Sequence, residues 1–474
     1  SVGGGAGGGA TVVVMGRGGR GGKSGGGGRR DVAGKSAAPV VRSNDTGGDG
    51  ASGEAGGFLA IGAGASIQSA GSLSLDATGA TSLAADATLG ARSIDVTANR
   101  IGLTANDAAS GDTGALLIGP RILAQFANSQ ETLLRGRSGI DVLGDVALRT
   151  SNALTLSAPT VHGDGGNASI AADTLTLMND TGAAAGASVP GTGRMRLDAR
   201  DLRLAAGDMT FGGFSNIAAN AAGGFFAAGA GTSDFGAAQV DVTAPKVFVE
   251  GGADKHLTTT GAMRFIAAGV ADNIARAQGG KLSVKASSLD IGTSMVAAGG
   301  NLTLHATQGG IVLENGATLD VGGLSKPFND VSVHVPAGTV TMQADQGDIA
   351  LRAGSSVDIR GDAAGGNAGR LQIQATSGQA TLEGSLLGSA LDNYLGGTLV
   401  VDTAGAMDLG SVVSRVTAGG IDGAVSIHTR GGDPVLGQGT TLHTIRVNLA
   451  PDGGRADAGG KEDASGALGG ESSL

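Results

Sequence analysis

The chain has no Cys and no Trp, one Tyr and ten Phe in 474 residues. Large aromatic side chains supply much of the buried area of an ordinary globular core. Their scarcity excludes such a core and points to a narrow one filled by Val, Ile, Leu and Ala. The lack of Cys suits a chain that is exported unfolded, for which cross-links would be an obstacle. No stretch approaches the roughly 20 apolar residues needed to span a bilayer, and no signal peptide is visible. Because the chain starts Ser-Val-Gly-Gly and ends in a polar Gly/Ser tail, it reads as an internal fragment of something larger. A net charge of −10 and a pI of about 5.0 argue against nucleic acid as a partner.

Glycine is abundant, at 91 residues. It has no strict three-residue period, which excludes collagen. Apolar residues make up 41% and the mean hydropathy is +0.13, so wholesale disorder is excluded as well. The charge is uneven: between Ser1 and Arg42 there are Arg17, Arg20, Lys23, Arg29, Arg30, Lys35 and Arg42 against the single acid Asp31.

Residues 300–323 carry the clearest pattern. Three short apolar strands, 302–304, 311–313 and 319–321, are punctuated by Gly, Asn and Gln. Variants recur at 72–76, 93–97, 101–104, 140–143, 154–157, 175–178, 202–205, 247–250, 282–285, 331–335, 339–344, 371–375, 398–402, 407–409, 425–429 and 441–447. Leu371-Gln372-Ile373-Gln374 shows the period of a strand with one face in a core. One such unit cannot bury its apolar face alone and must stack on another. The expected fold is all-β: a parallel β-solenoid over 57–450, between a Gly-rich flexible segment (1–56, with a strand at 11–15) and a disordered tail (451–474). At about 20 residues per turn and 4.8 Å per strand, roughly 20 turns make a rod on the order of 100 Å long. Excursions are expected near 121–134, as a helical turn or a loop, near 205–238 with five Phe, and near 262–278, where Met263, Ile266, Val270 and Ile274 have helical spacing.

Several motifs reduce to this grammar. Residues 11–24 run from a strand into a Gly-rich loop ending in Lys23-Ser24, but Arg17 stands where a phosphate loop needs Gly and no helix pattern follows. The same stretch resembles an RGG box without aromatics. Gly22–Gly26 matches G-x-S-x-G without strand–turn–helix context. Gly163–Asn167 is a single copy of a calcium-roll-like turn, where a roll needs tandem copies. The six His are scattered, with no zinc-type spacing. Arg360-Gly361-Asp362 follows a strand and precedes a Gly-rich loop; a turn there presents Arg and Asp for charge-pairing recognition, and these three are the candidate receptor-binding residues. No catalytic, cofactor-binding or metal-binding residue is assigned, and no cofactor.

Gly300-Asn-Leu-Thr-Leu-His-Ala, Gly310-Ile-Val-Leu-Glu-Asn-Gly-Ala-Thr-Leu-Asp-Val, Ala70-Gly-Ser-Leu-Ser-Leu-Asp-Ala-Thr-Gly and Ala153-Leu-Thr-Leu-Ser-Ala-Pro resemble the repeats of filamentous haemagglutinin-like exoproteins, over about 60–450. The resemblance implies a right-handed parallel β-helix, carried by an outer-membrane transporter to the surface of a Gram-negative bacterium. There it would adhere to a host-cell or bacterial receptor or glycan. The N-terminal secretion domain of that family and a C-terminal membrane barrel are not present in this stretch. The expected function is thus a non-enzymatic adhesin shaft. The alternatives are a β-helix polysaccharide-degrading enzyme, for which Asp stands at many strand ends, such as Asp141, Asp145, Asp358 and Asp408, and an inert spacer for a distal domain. A groove lined by three or more carboxylate and basic side chains favours the enzyme; a uniform rod with Gly/Ala loops favours the shaft.

Overall fold

The computed structural model describes residues 2–4, 10–15, 59–77, 81–107, 114–271, 274, 276–329, 331–431 and 446–451. Residues 16–58, with the Gly-rich loop of the phosphate-loop, RGG and G-x-S-x-G motifs, the first five residues of the expected strand at 441–447, and 452–474 lie outside the described residues. The fold is nearly all-β, and most of its strands form one long, mainly parallel sheet compatible with a β-helix. The chain visits three ladders in turn. Within residues 300–323, Asn301–Ala306 enters one ladder, Ile311–Leu313 a second and Thr318–Asp320 a third. The first ladder runs through Lys281, Asn301, Thr339, Arg370, Thr398 and Ala424, in register and separated by 20, 38, 31, 28 and 26 residues. It holds fourteen strands, about 60 Å at the usual strand spacing. That is shorter than the expected 100 Å, because loops, a hairpin and helices lengthen many circuits beyond 20 residues.

Alternation decides which side chains go inside. The column Leu282, Leu302, Val340, Leu371 and Leu399 is buried, as is its neighbour Val284, Leu304, Met342, Ile373 and Val401. Each buried aliphatic side chain contributes roughly 1.5–3 kcal/mol relative to exposure, and identical phasing in successive strands makes the rows continuous.

Several expectations need correction. Residues 205–238 are not an excursion: Met209–Gly212, Phe214–Ala227 and Ala230–Asp234 are strands of the three ladders. Phe211 and Phe235 stack inside at 5.1 Å between centroids. The apolar spacing over 262–278 is not helical. Met263–Ala267 is a strand whose Met263 and Phe265 point inward, while Ile266 and Val270 are exposed. Val331–Val335 does not join the stack but pairs antiparallel with Leu324–Phe328. In place of a strand at 407–409, the helix Leu409–Ala418 begins. Near 121–134 the expected helical turn is present as the helix Pro120–Gln125 and a 3-10 turn, and only the part from Glu131 onward differs, as it belongs to the strand Glu131–Leu143.

These added elements cover strand edges. Pro120–Gln125 packs on Val146–Arg149, where the second ladder begins. Ala10–Met15 pairs antiparallel with Ser72–Ala77 at the start of the third. Leu409–Ala418 packs on Ser385–Leu387, the third ladder's last strand, and buries Leu409, Val412, Val413 and Val416.

Candidate interaction site

The outer face of the third ladder carries a row in direct register: Thr176, Arg203, Phe226, Phe248, Val296, Asp320 and Asp358. The strand Lys246–Val249 pairs directly with Ser294–Val296. Between them, the described residues 268–271, 274 and 276–280 contribute no strand to this ladder. The result is a cleft of about 430 Å³ over Phe226 and Phe248, bounded on the far side by Ile274, Arg276 and Ala277. The two rings stack at 5.3 Å, with the Arg203 guanidinium 4.7 Å above Phe226 and Lys246 Nζ 5.9 Å from Phe248. Both rings are largely buried, at 6% and 9% exposure, and form an apolar floor.

The carboxylates of the cleft are engaged. Arg203 pairs with Glu250. Arg276 donates to Asp320 Oδ1 at 2.5 Å and to the Gly322 carbonyl at 3.2 Å, which pins the roof to the ladder. Burial raises the Asp320 carboxyl above the usual range against the opposing pull of Arg276. A wider trough of about 670 Å³ lies elsewhere, with a floor of Ala172, Ala199 and Ala221 and with Arg149, Asp198, Arg200 and Asn220 in its lining; Asp198 is engaged by Arg196 and Asn220.

From Asp320 onward, three successive circuits leave the third ladder by long connections and form a shoulder. The first is the hairpin Leu324–Phe328/Val331–Val335. The second is the loop after Ser356–Asp358, and the third is the loop after Ser385–Leu387. They hold one another. Ser325 Oγ lies 2.7 Å from His334 Nδ1, and the His334 and Tyr394 rings meet edge-on at 6.2 Å. Leu395 N–H donates to Asn367 Oδ1 at 3.0 Å, and Ala368 N–H to the Leu395 carbonyl at 2.8 Å. Among the described residues eight large apolar side chains are exposed, and five of them are here: Val331, Val333, Leu391, Tyr394 and Leu395. The two non-Gly residues with positive φ among the described residues, Asn329 (53°) and Asn393 (72°), sit in these loops. Left-handed backbone outside Gly is uncommon and collects at turns and binding sites.

The Arg360-Gly361-Asp362 tripeptide lies within the shoulder. Arg360 folds back onto Asp358, its Nε and Nη2 at 3.0 and 2.6 Å from the two carboxylate oxygens. Gly361 N–H donates to the Ser389 carbonyl at 3.0 Å. A Cβ on Gly361 would lie 2.2 Å from the Gly366 carbonyl oxygen. Asp362 opens a turn closed by the Gly365 N–H at 3.0 Å. Its carboxyl accepts from Ala364 N–H and is held below the usual range, first by the Ser325 hydroxyl. The turn exists, but Arg360 and Asp362 are each tied to neighbours.

The four carboxylates named for an enzyme do not converge. Asp141 pairs with Arg100, Asp145 accepts from Asn167, Asp358 holds Arg360 and Asp408 caps the helix at Ser411 N–H. Asp164, in the calcium-roll-like turn, accepts from the Gly144 and Gly166 N–H groups and clamps two circuits. His256, His305 and His428 each lie beside an Asp, and His443 is outside the described residues. Among the described residues no three His, Asp or Glu side chains are grouped so that they could hold a metal ion, and no helix is long and apolar enough to cross a membrane.

The cleft was missed at the sequence level because its residues are spread over 203–320 and only register aligns them. The alternation of Arg203, Leu204 and Leu202, and of Val247, Phe248 and Val249, was the available signal that Arg203 and Phe248 face outward. No protein-family model, curated protein or solved structure matches the chain.

Proposed function

We propose that this chain is the shaft of a surface adhesin: a right-handed parallel β-helix, delivered by an outer-membrane transporter to the outside of a Gram-negative cell. It contacts a host-cell or bacterial surface receptor or glycan through the shoulder. The observation that carries the reading is the gathering of exposed apolar side chains onto three adjacent connections of an otherwise regular stack. Exposed apolar surface of this kind marks interaction sites, and a rigid scaffold with projecting loops is a common way to present one.

The test replaces residues 324–335 by a Gly-Gly link and, separately, Tyr394 and Leu395 by Ser. Attachment of protein-coated beads to epithelial cells or bacteria is expected to fall about tenfold or more, with the thermal midpoint of the stack little changed. Full attachment by both variants would remove the shoulder as the contact and leave the spacer reading. Asp362→Glu addresses the tripeptide separately: integrin-dependent attachment is lost if that corner is the contact and kept if the apolar shoulder acts alone.

The cleft favours a second reading. Arg203, Lys246, Glu250, Arg276 and Asp320 satisfy the requirement for a groove lined by three or more carboxylate and basic side chains. A polysaccharide-degrading enzyme also needs one proton-donating and one ionised carboxyl group across a glycosidic bond. Release of reducing ends or unsaturated products from polyuronates, abolished by Asp320→Asn, would establish the enzyme in place of the shaft.

A further inference from the structure

We propose that the cleft over Phe226 and Phe248 is a binding site for a carboxylated sugar residue, of uronic or sialic type. Of its three cations, Arg203 and Arg276 are bound to Glu250 and Asp320. Lys246 has no carboxylate partner among the described residues; its ammonium stands over Phe248. Three cations against two carboxylates leave one positive charge, on a chain whose net charge is −10. A ligand with one negative charge completes the set, and the acidic remainder of the chain makes this cleft the favoured place for it.

The rest of the lining selects the body of the ligand. The paired guanidinium groups present N–H donors, and Glu250 and Asp320 present oxygens that hydroxyl groups can donate to. Phe226, Phe248 and Val296 supply the apolar floor on which the C–H face of a sugar ring can rest. A simple fatty or aromatic acid has no hydroxyl groups to use the hydrogen-bonding positions that these ion pairs leave free. The volume of about 430 Å³ accommodates one or two sugar rings.

The inference does not depend on the attachment reading, and its test uses purified protein without cells. Saturation-transfer NMR and calorimetry are run with glucuronate, N-acetylneuraminate, glucose and propionate. One or both acidic sugars bind at millimolar concentration, and which one does identifies the source. Glucose and propionate bind about tenfold more weakly or less. Lys246→Gln lowers the affinity about tenfold, Lys246→Arg retains it, and Lys285→Gln, a lysine of another ladder, leaves it unchanged. Affinity falls as salt rises. Equal binding of glucose or of propionate, or unchanged affinity in a folded Lys246→Gln protein, overturns the assignment. A protein that binds the sugar but not cells would fail the shoulder reading and leave this one standing.

Discussion

Lys255 occupies an inward position, in register between Gly231 and Leu282, and is fully buried. Its ammonium donates to the Ala205 carbonyl at 2.7 Å and lies 3.4 Å from that of Gly207. Burial lowers its pKa from 10.5 to about 8, with Asp208 opposing. Between those pH values the unfolded chain holds a proton that the folded chain has released. Stability is therefore lowest below pH 8 and rises as pH climbs from about 8 to 10.5, by on the order of 3 kcal/mol for this group. Lys255→Met is expected to raise the denaturant midpoint at pH 7, and the gain over wild type should shrink by pH 10. A gain of the same size at both pH values would show that the lysine's charge is not the cause. In the sequence Lys255 sits between Asp254 and His256 and reads as a surface residue. The signal against that reading is its phase, two residues from the buried Leu257.

At the scale of the strand, one column of glycines sets how closely successive circuits approach. A Cβ on Gly300 would lie 1.9 Å from the Gly280 carbonyl oxygen. On Gly338 it would lie 1.6 Å from that of Gly300, and on Gly369 2.0 Å from that of Gly338. The same carbonyls accept ladder hydrogen bonds, as Thr339 N–H to Gly300 at 3.1 Å. The need here is space between backbones rather than an unusual φ. Gly338→Ala is expected to cost about 2–4 kcal/mol, read as a lower thermal midpoint. Gly316→Ala, where a Cβ meets nothing within 4 Å, carries only the strain of its φ of +84° and should cost less. Strand positions at 302–304, 311–313 and 371–375 were legible because large aliphatic residues alternate with polar ones. Those at 209–234 were not, because Ala and Gly are poor strand formers in isolation and only pairing to neighbours on both sides makes them strands. The hairpin was illegible for the converse reason: Val331, Val333 and Val335 alternate as ladder residues do, and nothing local distinguishes an antiparallel partner from a parallel one.

For the whole molecule, a stack of parallel strands ends in unpaired edges that invite pairing with other chains. Pro120–Gln125, Ala10–Met15 and Leu409–Ala418 cover three such places. The last buries Val416 at 1% exposure against the end of the third ladder. Val416→Asp is expected to lift the helix and uncover the strand Ser385–Leu387, so that light scattering reports self-association while circular dichroism still reports β-structure. A monomeric variant would mean that the helix is not what protects this edge. The repeat itself was readable, as was the class of fold, and the covering elements were not. Asp408 accepting from Ser411 N–H is an ordinary N-cap, yet the short run around it reads equally well as another strand.

By itself the sequence determined that the chain is a stack of short β-strands with a thin aliphatic core and almost no aromatic surface. Alternation and Gly punctuation are local properties, written within ten residues at a time. Only the tertiary structure decided where the stack departs from its own rule. The placing of Arg203, Phe226, Phe248 and Asp320 in one row, the gathering of three connections into a shoulder, and the burial of Lys255 all depend on register between segments 20 to 48 residues apart. Register is set by the summed fit of many strands, and a single strand carries no record of it.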